Sequence, residues 1–130
     1  LTAKRRRRAD AGTMSISLVM VFPAVLALIL LTVQAALWWY DRQVALTAAR
    51  EGGEAARGYQ AAPGAGAAAA NSLLDRAGGG LTDRTVQINS DGVTVVVKVT
   101  VRTQSLLPFV PGILVTQQVS EPVERFVPAP

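Results

Sequence analysis

The sequence predicts an α+β protein: a long N-terminal transmembrane helix that extends into a small domain with a short second helix and a roughly three-stranded antiparallel sheet. Three observations carry this. No charged residue stands between Asp10 and Asp41. From Asp41 the stretch "DRQVALTAAREGGEAARGYQ" stays rich in helix formers, with no proline until Pro63. From Thr85 the period changes to alternation of apolar and polar residues, the pattern of strands with one buried face.

The first element is a basic leader, residues 1–12. Lys4, Arg5, Arg6, Arg7 and Arg8 oppose the single Asp10, whereas the eight basic and eight acidic residues from Asp41 to Pro130 balance. The formal charge of +4 is therefore the leader's. A basic tail abutting an apolar run is a topological signal that holds the N-terminus in the cytoplasm and sends the rest across the membrane. It does not predict nucleic-acid binding.

Residues 13–40 form the predicted span. Ile16 to Tyr40 is apolar except for Ser17, Thr32 and Gln34. As a helix these ~25 residues reach ~37 Å, enough for a ~30 Å hydrocarbon core with some tilt. Trp38, Trp39 and Tyr40 close the run with rings of the kind that settle at the interface. The run exceeds the ~7 to 15 residues of a cleaved secretory signal. Pro23 removes one helical hydrogen bond, so a kink is expected there.

Residues 41–130 make an extracytoplasmic α+β domain. Residues 41–60 continue the helix, with Val44, Ala48, Gly52, Ala55, Ala56 and Tyr59 forming one narrow face of mostly small side chains. Such a face suits close approach of the chain's own sheet or of a neighbouring subunit. Gly52 and Gly53 weaken the helix and predict a bend. Residues 61–67 are a linker, and residues 68–77 a short helix anchored by Leu73 and Leu74 and ended by Gly78, Gly79 and Gly80. Antiparallel strands occupy residues 85–120. Val86 and Ile88 face inward, a turn follows at Asn89 to Gly92, and Val93, Val95, Val97, Val99 and Val101 line one face opposite Lys98 and Arg102. Val115, Gln117 and Val119 alternate in a third strand from Leu114, which Pro122 limits. "LLPFVPG", Leu106 to Gly112, is an apolar loop that either tucks over the core or meets a membrane surface or partner.

Catalysis is not expected. With no histidine and no cysteine, thiol nucleophiles, disulfides and most transition-metal sites are excluded. Asp83 and Asp91 lie beside turns, where acids cap or face solvent. Gly64 to Gly66 lacks the strand, lysine and hydroxyl of a phosphate loop. We assign no catalytic, metal or cofactor-binding residue.

The order of leader, glycine, uncharged span with an early proline, helix running outward and small sheet resembles the TadE-like family, TadE and TadG pseudopilins of the tight-adherence (type IVc) pilus and its Flp-type secretion apparatus. Two places carry the resemblance, over roughly residues 4–58. Gly12 precedes the apolar segment, with Pro23 eleven residues later. "RQVALTAAREG", Arg42 to Gly52, is similar to the family's pattern outside the membrane, with Arg42, Ala48, Ala49, Arg50, Glu51 and Gly52 as its motif residues.

The resemblance implies a pilin-like domain, no enzymatic activity, and the lipid bilayer, other pilins or pseudopilins and the pilus assembly platform as partners. A prepilin peptidase would cut between Gly12 and Thr13. Prepilin-type proteins usually carry a glutamate fifth in the mature chain; counted from Thr13, that place holds Ser17. The expected role is that of a pseudopilin or minor pilin. A signal-anchored interaction domain unrelated to pili and a major pilus subunit are the alternatives.

Overall fold

The structure, a computed structural model, describes the backbone of residues 2–78 and 81–128, with side chains from residue 12 on. Its elements run α1 (Thr2–Arg57), α2 (Ala65–Arg76), β1 (Thr82–Ser90), β2 (Thr94–Arg102) and β3 (Leu114–Pro122). The α+β class holds: a long apolar helix, a short second helix and a three-stranded antiparallel sheet in the order β1-β2-β3. The chain divides into two compact units, Leu1–Ala35 and Ala36–Pro130, so α1 contributes to both.

The first unit is helix. Its apolar side chains from Met14 to Val33 are largely exposed, Leu18 at 70% and Phe22 at 65%. A helix apolar on every side has no reason to remain so in water and calls for lipid or other apolar helices around it. Helical backbone continues through Pro23. The missing N–H of Pro23 leaves the Val19 carbonyl without its usual helical donor.

The second unit is built around valine. Val95, Val97, Val99 and Val101 of β2 are each 1% exposed or less and meet Val44, Ala45, Ala48, Ala49, Ala70, Leu74 and Val115 in one core. β2 is central, paired with β1 through Ile88↔Val97 and with β3 through Val97↔Val119. β-branched side chains at period two suit this half-buried surface. On the outer face the Thr100 and Thr116 hydroxyls hydrogen-bond at 3.1 Å.

The small-residue face of α1 packs on the chain's own sheet. A Cβ on Gly52 would meet the Gly66 carbonyl oxygen at 3.1 Å, the Ala70 Cβ at 3.2 Å and Val97 Cγ1 at 3.4 Å. Helix α1 therefore packs at close range against both α2 and the sheet. Helical backbone continues through Gly52 and Gly53 to Arg57, because the packing these glycines permit outweighs their poor propensity. Tyr59 does not join the face. It lies beyond the helix end, 58% exposed, its ring 6.1 Å from that of Phe126.

Several boundaries move for local reasons. Helix α1 stops before residue 60, where Gln60 takes a φ of 55°. Helix α2 begins at Ala65 rather than 68, because Gly64 at φ 80° caps it and its carbonyl accepts the Ala68 N–H at 2.9 Å. α2 ends at Arg76, with Gly78 following at φ 105°; Gly79 and Gly80 lie outside the described residues. β1 starts at Thr82, and its pairing with β2 is irregular between Thr82 and Thr85, where Asp83 has a φ of 48°.

Val93 is not part of the buried valine face. It is 55% exposed, because the turn extends through it to Thr94. The Asp91 carboxylate accepts N–H groups from Val93 at 2.8 Å and Thr94 at 2.6 Å, with Gly92 at φ 84°. Those hydrogen bonds, first from Thr94 and then from Val93, hold the Asp91 carboxyl below its ordinary pKa. β3 continues to Pro122, which an edge strand tolerates.

Ion pairs fasten the helices to the sheet. Arg57 Nε lies 3.0 Å from Glu121 Oε2 and Arg57 Nη1 3.5 Å from Glu124 Oε1. The first contact is a charge pair without hydrogen-bond alignment, and neither atom has another hydrogen-bond partner among the described residues. The Arg57 carbonyl also accepts the Glu124 N–H at 2.9 Å. Arg84 pairs with Asp75 across the α2–β1 connection.

Candidate functional site

The residues singled out by sequence lie along α1. Gly12 to Tyr40 is the apolar stretch, with a most apolar window of mean hydropathy 2.8 and none of that window buried. By length and composition this helix can cross a membrane. The Thr32 hydroxyl donates to the Leu28 carbonyl at 2.8 Å, which satisfies it inside the helix. Trp38, Trp39 and Tyr40 are 37%, 59% and 51% exposed, with the Arg42 guanidinium 5.8 Å from the Trp38 ring centroid.

At the other end, Thr13, Met14, Ser17, Leu18 and Val21 share one face, and Ser17 is exposed. Gly12 sits inside helical backbone, and a Cβ placed on it would meet nothing within 4 Å. Glycine costs about 1 kcal/mol in a helix relative to alanine. Neither packing nor backbone angle requires one here, in contrast to Gly52. The side chains of Lys4, Arg5, Arg6, Arg7 and Arg8 lie outside the described ones.

The Arg42–Gly52 motif divides into two roles. Ala48 and Ala49 are fully buried and Gly52 is at the closest helix–helix approach. Arg42 and Arg50 are exposed, while Glu51 is half-buried and pairs with Arg76 of α2 at 3.5 Å. The motif is thus a packing seam of small residues with charges along its rim.

Two features of this region are not signalled by local sequence. Asp41 is only 7% exposed, although an acid after an aromatic run reads as solvated. The Leu106 to Gly112 loop does not cover the core. Phe109 is fully exposed, with Val110 at 48% and Leu106 at 44%. Exposure on a loop depends on where the chain's own core closes, which alternation does not encode.

No curated protein and no solved structure matches the chain. The family model described as TadE-like protein matches residues 12–54, a narrower stretch than residues 4–58 but one that contains both Gly12 and the Arg42–Gly52 motif. Over this segment, from the open glycine through the apolar helix to the small-residue seam, the protein is TadE-like in sequence.

Proposed function

We propose that this chain is a non-enzymatic TadE-like pseudopilin or minor pilin that takes part in assembling a tight-adherence (type IVc, Flp-type) pilus or its secretion apparatus. The match over residues 12–54 carries the reading, because it joins the leader junction and the packing seam in one segment. Residues 13–40 anchor the protein in a bacterial cell membrane as a single pass. Other pilins or pseudopilins and the assembly platform are its partners, with a prepilin peptidase as processing enzyme. A glycine that packing does not require at position 12 fits a junction where a peptidase needs an unobstructed extended chain.

Ser17 favours a minor over a major subunit. After cleavage the α-ammonium of Thr13 has no carboxylate in the fifth position to offset it. Burying that charge unpaired among neighbours costs several kcal/mol. Low copy number at a pilus base or tip, or residence in the membrane, follows.

Deleting the gene in its native cell is expected to abolish or sharply reduce pili, with recovery on adding back the unaltered protein. Gly12→Arg is expected to retain the leader by intact mass and to fail in recovery. Normal pili in the deletion strain would overturn the pilus reading in favour of an unrelated signal-anchored interaction domain. Residues 1–12 found attached in a cell with active prepilin peptidase would overturn the processing.

Orientation follows from the leader's charge: N-terminus in the cytoplasm, residues 41–130 outside. A fusion reporter after Pro130 is expected to register the outside, and to invert or lose insertion when Arg5 to Arg8 become glutamates. A cytoplasmic signal from the unaltered sequence would sink this topology.

A further inference from the structure

We propose that the loop joining β2 to β3, residues 103–113, is a second membrane contact, seating Phe109 and Val110 in the bilayer interface level with the aromatic residues Trp38–Tyr40. The inference rests on the reading that α1 crosses a membrane.

Placement comes from the antiparallel run of α1 against β2. Gly52 lies against Val97, while Arg57 reaches Glu121, which pairs with Val95 nearer the start of β2. Moving back along α1 therefore moves forward along β2. From Val97 to Thr103 a strand rises about 20 Å, at ~3.3 Å per residue. The same distance along a helix is about 13 residues, which leads from Gly52 back to Trp39. Two further contacts agree. Leu73, Arg76 and Ala77 at the end of α2 share one surface hollow with Tyr40 and Val44, and β1, which follows, pairs Thr82 with Arg102. The β2–β3 loop thus leaves the sheet at the aromatic end, opposite the Asp91–Val93 turn.

The loop's chemistry fits that location. No charged residue stands between Arg102 and Glu121. Pro108 and Pro111 present no N–H to desolvate. The base is closed: the Thr103 N–H donates to the Ile113 carbonyl at 2.9 Å, the Ile113 N–H to Thr103 Oγ1 at 3.1 Å, and Arg102 Nη1 to the Gly112 carbonyl at 3.0 Å. Gly112 is obligatory there, since a Cβ would collide with the Thr103 carbonyl. On this base Phe109 stands fully exposed with a φ of 64°, a left-handed conformation unfavourable for a bulky residue. A bulky ring held in an unfavourable conformation and facing solvent gains nothing from the core. It gains from an apolar layer at that level, and lipid is the layer the Trp38–Tyr40 belt marks.

The chain has no cysteine, so Phe109→Cys, Val110→Cys, Val93→Cys and Leu26→Cys can each carry a single nitroxide label. The full chain in phosphatidylcholine–phosphatidylglycerol vesicles is then read by EPR power saturation with oxygen and a water-soluble nickel chelate. Labels at 109 and 110 are expected to gain oxygen access and lose chelate access relative to the label at Val93, shifting in the same sense as the label at Leu26. The Val110→Cys chain keeps Phe109 in place, so agreement of the two labels excludes an effect of removing the ring. Loop labels that match Val93, with Leu26 in lipid, overturn the loop contact and leave the anchor standing. A Leu26 label open to the chelate overturns both. Loop labels shielded from both reagents report a second copy of the chain and also overturn the lipid contact.

Discussion

Val97→Asp is expected to unfold the domain formed by residues 41–128. Val97 is fully buried in the central strand, between Ile88 and Val119 and against Gly52 of α1. Strands on both sides leave the side chain no route to water. An unpaired carboxylate there costs on the order of 4 kcal/mol or more, whether it stays charged or takes up a proton. Small domains have only about 5–15 kcal/mol of stability, so a large share is lost. The check is thermal unfolding of the sheet by circular dichroism, on the full chain in detergent micelles. Lys98→Asp is the control, because Lys98 is exposed on the opposite face; it is expected to change stability by less than about 0.5 kcal/mol. Equal melting of Val97→Asp and the unaltered protein would mean the valine face is not buried.

The same chemical change, glycine to alanine, is expected to have opposite effects at two neighbouring seams. A Cβ on Gly66 would sit 2.6 Å from Ile88 Cδ1, 2.8 Å from the Ala56 Cβ and 2.8 Å from the Gly52 carbonyl oxygen. Ile88 can turn away, but backbone and a Cβ cannot, so α1 and α2 must separate. Overpacking of this kind costs about 1–3 kcal/mol, and the gain in helix propensity of up to about 1 kcal/mol only partly offsets it. At Gly53 the nearest atoms belong to the Glu121 carboxyl group, at 3.1 to 3.3 Å. That is the far end of a flexible side chain and can yield. Gly66→Ala should therefore lower the melting temperature, and Gly53→Ala should leave it unchanged or raise it. If both raise it, the helices do not approach as closely as described.

Sequence was most informative where a single physical requirement repeats along the chain. The apolar run before Asp41 is legible because one solvent must accept every side chain. The valines of β2 are legible because a pleated strand alternates faces every residue. Leu74 stood out in α2 because so few large apolar residues surround it. Reading failed where two local preferences competed. Gly52 and Gly53 are poor helix formers by propensity, yet helix runs through them and Gly52 makes a close contact by packing. Val93 matched the alternation, yet the Asp91 carboxylate claimed its N–H for the turn.

By itself, the sequence determined the α+β class, the long apolar N-terminal helix, the inward-facing residues of the strands and the TadE-like segment around Gly12 and Arg42–Gly52. The first three follow from composition or periodicity within one element, and the last from the likeness of its motif residues to the family pattern. The tertiary structure alone decided that α1 packs its small residues against its own α2 and sheet, that Gly66 must be glycine, that Asp41 is buried and that Phe109 is not. These depend on which surfaces meet, and two distant segments such as Gly52 and Gly66 become neighbours only when both elements dock on the same core.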